Sequence, residues 1–324
     1  MLFKWRKHIL ILLLMMSSNS FAFEKVGTTS FQFLKVITTA RGASMAGAYS
    51  TIAATSDAVF WNPAGLTQVP KFSASFGYLD WFMDVAHISF SAAYTFEQLG
   101  TFAVFGMVAD VGDIYETRTS FLGFDANDNY NPGLTGNILN PKSMVFGLSY
   151  AYDLNDRFTF GITVKYASED LILKKTSALM FDGGMKYSTG FKSIVIGAAL
   201  RHFGQEVEYV ESSYPLPQTF NIGVSSYLFS SEDALLSDIG NSSLLISYDL
   251  IQPRDYDQQH AVGLEYSFDE MIYLRGGYLF NGDQEDFSAG LGLRYNDYKV
   301  DYAYNDMGEF FGKAHRFTIS FGIN

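Results

Sequence analysis

Histidines, serines and closely spaced carboxylates are the residues of this chain whose chemistry would announce a reaction, and they are sparsely arranged. The five histidines are His8, His87, His202, His260 and His315, and there is no cysteine. A serine hydrolase needs a serine hydrogen-bonded to a histidine base. Only His87 and Ser89 come near that arrangement, two residues apart and so on one face of a strand, and no Gly-x-Ser-x-Gly turn accompanies them. Asp125, Asn127 and Asn129 fill the first three ligand positions of a calcium loop. Tyr130 then stands where Gly is required and Gly136 where Glu is required, which leaves an acidic, solvated loop. Neither catalysis nor a bound metal or other cofactor is expected from these residues.

The elements that would have to position any site are strands. Residues 1–22 have the order of a secretory signal: Lys4, Arg6 and Lys7, the apolar run Ile9 to Met16, then small residues at Ser20 and Ala22. Cleavage is expected after Ala22. No later segment has the run of about 18 apolar residues that a membrane-spanning helix needs. The chain of 324 residues is 48% apolar and 17% aromatic, with 30 Phe and 21 Tyr but only 3 Trp. Loss of the three cations in the leader takes the formal charge from -12 to about -15. A balance that acidic argues against nucleic acid, whose phosphates need a basic face.

From Phe72 onward about fourteen strand-like segments follow one another, each near the 9 to 11 residues of a tilted transmembrane strand. Charge placement tests the alternation, because a Lys or Arg facing lipid at mid-membrane costs roughly 2–4 kcal/mol. Phe160, Ile162 and Val164 oppose Lys165; Leu179, Phe181 and Met185 oppose Asp182 and Lys186; Ile196 and Leu200 oppose Arg201. The same holds for Leu264 and Tyr266 against Glu265, Leu274 against Arg275, and Phe317 and Ile319 against Arg316. The opposite faces are mostly small, as at Gly147, Ser149 and Ala151 or Ser288, Gly290 and Gly292. One strand, Thr101 to Asp110, is apolar on both faces. All prolines are placed outside the strands, Pro63 and Pro70 before the first and the others in connections, since proline lacks the N–H of a ladder.

Alternate connections are short, all but Ser230 to Ser242, while the others include Val111 to Lys142, Ser168 to Ser177 and Gly204 to Pro217. Short periplasmic turns and long outward loops are the pattern of an outer-membrane barrel. The predicted fold is therefore all-β, a transmembrane antiparallel β-barrel of about fourteen strands over 72–324. Its small inward residues cannot fill so wide a lumen. The preceding 23–71 is available to fill it as a hatch. Within it, Asn62-Pro63 is suited to start a helical turn, Asp57 to cap an earlier one, and Gly42, Gly47 and Gly65 to allow close backbone approach to the wall.

The stretch SFQFLKVITTARGASMAGAY, then TSDAVFWNPAGL, then the strand FSASFGYLDWFMDVAHISFSAAY, resembles the start of the PorV/PorQ family within the FadL-like outer-membrane superfamily. The resemblance implies a barrel whose N-terminal segment folds inside. It also places Arg41, Gly42, Asp57, Trp61, Asn62, Pro63 and Ala64 on the family's hatch pattern, where they either form a gate or ligand contact or simply hold the hatch against the wall. Phe60 and Gly65 depart from the secretion-type pattern. In the FadL branch such barrels pass hydrophobic molecules, fatty acids among them; the PorV branch serves type IX protein secretion. The expected function is a non-enzymatic barrel in the bacterial outer membrane, surrounded by its lipid, that binds and passes small hydrophobic molecules. The alternative is a secretion component that holds another protein by its outer loops.

Overall fold

The period-two alternation closes on itself. The structure, a computed structural model, describes residues 27–82, 85–124, 128–172, 174–209, 211–231, 233–282, 286–308 and 312–323. The expected leader, His8, Asp125 and Asn127 lie outside the described residues. The strands are β1 (Phe72–Asp80), β2 (Ala86–Phe96), β3 (Gly100–Asp110), β4 (Ile114–Phe124), β5 (Tyr130–Leu139), β6 (Lys142–Asn155), β7 (Phe158–Asp170), β8 (Lys175–Ser188) and β9 (Val195–Gly204). They continue with β10 (Val207–Tyr209), β11 (Ser212–Tyr214), β12 (Thr219–Phe229), β13 (Ser242–Pro253), β14 (Gln259–Phe268), β15 (Ile272–Phe280), β16 (Phe287–Tyr295), β17 (Tyr298–Asp306) and β18 (Lys313–Ile323). Fourteen of them form a closed antiparallel barrel in which each strand pairs with the next, β3 passing to β6 and β9 to β12, and β18 returns to β1 from Phe72↔Ile323 to Asp80↔His315.

Face assignment follows the charges. Lys165, Asp182, Lys186, Glu265, Arg275 and Arg316 point inward and are buried, while Phe146, Leu148, Ile162, Leu179, Leu274 and Ile319 point outward and are exposed. Outward exposure of large apolar side chains all round the wall is what a lipid solvent requires, and closure leaves no ladder edge unpaired in it. Inside, hydroxyls bridge strands, as Ser149 does with Thr163 at 2.7 Å and Ser243 with Ser267 at 2.7 Å.

Three expectations need correction. The connection Val111 to Lys142 is not irregular: β4 and β5 form a hairpin outside the barrel sheet, and β10 with β11 does the same within Gly204 to Pro217. Both carry mostly exposed residues, so they lack the one-sided burial that writes alternation into a sequence. The connection placed at Ser168 to Ser177 shrinks to 171–174, because β7 and β8 continue beyond it. Two prolines lie in strands. Pro253 is the last residue of β13, where the ladder ends, and Pro132 follows a register shift in the outer hairpin. The end of the barrel that bears these long connections is termed the outer end.

Candidate functional site

Residues 28–70 pass through the barrel. They contain a 3-10 turn at Gln32–Lys35, a short helix α1 (Ala40–Ser44), and 3-10 turns at Ser56–Phe60 and Pro63–Gln68. The last begins as its sequence dictates: Asn62 Oδ1 accepts from the Ala64 N–H at 3.1 Å, and Pro63 occupies the first helical position. The Asn62 amide also donates to the carbonyls of Ser50 (3.0 Å), Met185 (3.2 Å) and Ala198 (3.4 Å), tying the turn to β8 and β9. The wall is bare where it meets this backbone. A Cβ on Gly184 would lie 2.0 Å from Asn62 Oδ1, and one on Gly161 2.3 Å from the Pro63 carbonyl carbon. Asp57 is not a cap: it lies inside the turn that starts after Thr55 and accepts the hydroxyls of Thr55 and Tyr49.

Charge fixes the other side. Arg41 grips Glu265 through two hydrogen bonds, 2.8 and 2.7 Å, and Glu265 also takes Arg275, which reaches on to Asp301 at 2.7 Å. The wall carboxylate of Asp182 is taken up instead by Lys165 (2.6 Å) and by the backbone N–H of His202 (2.6 Å). Bidentate guanidinium–carboxylate pairs are directional, so they set where α1 sits as well as holding it.

The segment divides the lumen into two cavities. The outer one, about 510 Å³, is walled by Leu34, Ile37, Val59, Phe60, Trp61, Trp81, Phe105, Met107 and Leu279, with Lys165, Arg201 and His202 among its polar lining. Arg201 donates to the Phe60 carbonyl at 3.0 Å, yet its Nε and the His202 Nδ1 are buried with no hydrogen-bond partner. The inner one, about 880 Å³, is polar and is lined by Arg41, Tyr49, Asp57, Glu265, Asp301 and the turn residues around Ser230 and Asn241. Its size and polarity suit a water-filled vestibule. Only the outer cavity has the apolar walls with a few convergent polar groups that small-molecule sites share.

A strap lies along the outer cavity. Asp255, in the connection after β13, accepts from Thr29 Oγ1 (2.7 Å), Gln32 Nε2 (3.3 Å) and Lys35 Nζ (2.5 Å), and the Ser30 N–H donates to the Pro215 carbonyl at 2.9 Å. Burial alone would raise the Asp255 carboxyl, but the bonds from Lys35 and Thr29 outweigh it and hold the group below the ordinary carboxylate range.

Of the residues singled out from the sequence, Trp61 faces the outer cavity and Arg41 and Asp57 the inner one, while Asn62 and Pro63 sit against the wall. Gly42 lies under the Trp61 ring, where a Cβ would come within 2.2 Å of it. His87 packs edge-on to Trp81 at 5.4 Å and is not bonded to Ser89. The cavity's own Phe60, Phe105, Met107, Arg201 and His202 were not picked out as a site. Their signal was present in β3: its second apolar face, Ala103, Phe105 and Met107, exists because it lines this cavity and packs on the inner segment, Phe105 meeting Phe60 edge to face at 5.3 Å.

No protein-family model matches this chain, and no curated protein does. Solved structures do. The toluene transporter TbuX of Ralstonia pickettii is similar with a TM-score of 0.57 at 14% identity, over 88% of this chain and 98% of that one. A monoaromatic hydrocarbon channel, CymD, gives 0.56 at 11% identity over 89% and 98%, and the toluene transporter TodX of Pseudomonas putida 0.55 at 12% over 86% and 95%. The fold is the one these channels share. The fourteen-stranded barrel expected from the sequence is thereby supported as a fold, and none of these likenesses singles out the PorV/PorQ branch.

Proposed function

We propose that this protein is a non-enzymatic channel of the bacterial outer membrane that binds small hydrophobic molecules in the outer cavity and passes them through its filled lumen. The observation that carries this reading is the cavity itself: about 510 Å³ of mostly aromatic and aliphatic wall, in contact with Trp61 of the inner segment. Proteins of the same fold are named for toluene and monoaromatic hydrocarbons, which supports a hydrophobic cargo. Arg201 refines it. Its guanidinium lines the cavity and bonds the Phe60 carbonyl, with no carboxylate at ion-pair distance among the described residues, so a neutral hydrocarbon would leave it without a counter-ion whereas a carboxylate would supply one. The cargo that fits best is therefore a fatty-acid-like amphiphile, its acid group at Arg201 and its tail along Phe105 and Met107.

Native mass spectrometry of the protein extracted from its own membrane tests this. A retained carboxylic acid is expected, lost on Arg201→Gln and on Trp61→Ala; an empty lumen in the parent protein, or retention that ignores both substitutions, would contradict the reading. A second reading has one observation in its favour. The β4–β5 hairpin exposes Tyr115, Phe121, Leu122, Phe124 and Tyr130, a surface that suits a protein held at the outer loops, as a type IX secretion component would require. A stoichiometric protein companion in the same spectrum would favour it.

A further inference from the structure

Two side chains stand between the cavities. Trp61 lines the outer cavity and Tyr49 the inner one, and their rings meet edge to face with centroids 5.1 Å apart. Each ring carries a guanidinium. Arg201, in the outer cavity, lies 5.7 Å from the Trp61 ring, and Arg41, in the inner cavity, lies 5.5 Å from the Tyr49 ring. A column of four side chains thus runs from one cavity to the other, ring against ring at its centre.

Nearby, the inner segment meets the wall in a different way. At Gly161 and Gly277 wall and segment are so close that a single added methyl would overlap the backbone of Pro63 or of Met45. Backbone wedged against backbone has no rotamer to change, whereas an aromatic ring turns about two torsions. Trp61 is held by one hydrogen bond, its indole N–H to Thr39 Oγ1 at 3.0 Å, and by its fit on Gly42. The Tyr49 hydroxyl has a long bond of 3.3 Å to Asp57.

We propose that the Tyr49–Trp61 pair is the seal of the lumen: passage between the cavities takes place where these two rings turn aside, with Arg201 at the outer mouth of the passage and Arg41 at the inner one. The inference rests on the channel reading only for what passes, not for where it passes. Arg41 is matched by Glu265, whereas Arg201 bonds the Phe60 carbonyl and has no carboxylate at ion-pair distance among the described residues, so its charge sets the ion preference of the opened passage.

Planar-bilayer recording in potassium chloride tests the seal without any hydrophobic cargo. The parent protein is expected to be silent and Tyr49→Ala/Trp61→Ala to give discrete channel openings, with folding checked by heat-modifiable migration. Gly42→Ala is the second variant: it keeps both rings but puts a methyl 2.2 Å from Trp61, and it too should open the lumen. Adding Arg201→Gln to the double variant should shift the reversal potential toward cations. Tyr49→Phe keeps the ring, and Phe60→Ala removes a ring that lines the outer cavity away from the pair, so both should stay silent. Silence of the folded double variant and of Gly42→Ala, or equal conductance from Phe60→Ala, would overturn the assignment. Cargo retention by the parent protein separates the two ideas: a silent double variant beside a parent that retains the acid rejects the seal alone, and an open double variant whose parent retains nothing rejects the cargo alone.

Discussion

Single residues hold the inner segment by polar contacts between largely buried side chains. Removing one partner of such a contact leaves the other buried and uncompensated, which is why Glu265, shared by Arg41 and Arg275, is a more sensitive position than its count of bonds suggests. Asp255 is the counterpart at the outer end, and it titrates. Its carboxyl is held below the usual range in the folded protein, so its contribution is fully present above the ordinary carboxylate pKa and is lost as pH falls through the depressed one. The strap over Thr29–Lys35 is therefore expected to stay shut at neutral pH and to loosen in acid. Hydrogen-exchange protection of its amides, taken relative to the intrinsic rate at each pH, should fall below about pH 4, the usual Asp range; Asp255→Asn should show the low protection already at pH 7, and a strap indifferent to both would refute the latch.

At the scale of elements, the wall and the inner segment are fitted by glycine. In β8 two adjacent glycines make an internal comparison, since consecutive residues of a strand face opposite sides. A Cβ on Gly184 would strike Asn62 and Pro63, whereas one on Gly183 would meet nothing within 4 Å. Gly184→Ala is expected to displace the turn Pro63–Gln68 at an overpacking cost of about 1–3 kcal/mol, while Gly183→Ala leaves it in place. Proteolysis of the inner segment in the intact barrel would report the difference; equal protection in the two variants would show that the wedge is not tight. The strand β3 states the converse rule. Its inner face carries Phe105 and Met107 instead of small residues because a cavity, not backbone, lies opposite.

For the whole molecule, the ladder closes through β1 and β18 without any residue of the inner segment. The segment adds burial to the interior but no strand to the wall. Deleting Gly27 to Leu66 is accordingly expected to leave a folded, heat-modifiable barrel that conducts ions freely. Loss of folding on deletion would mean that the segment is part of the barrel's core and not a filling of it.

Strand count, inward and outward faces, and the barrel itself were legible in the sequence, because a wall with lipid on one side and a polar interior on the other imposes period two on every strand and forbids charge on one parity. Lys165, Glu265 and Arg275 could be assigned inward from their neighbours alone. The cap at Asn62-Pro63 was legible because it is local: its donor and acceptor are two residues apart. What only the tertiary structure decided is everything made between the inner segment and the wall. Arg41 could have met Asp182 or Glu265, and its choice depends on contacts across 224 residues of chain. The outer cavity, the strap on Asp255 and the Tyr49–Trp61 contact are likewise formed by residues with no common period, brought together because the lumen confines them.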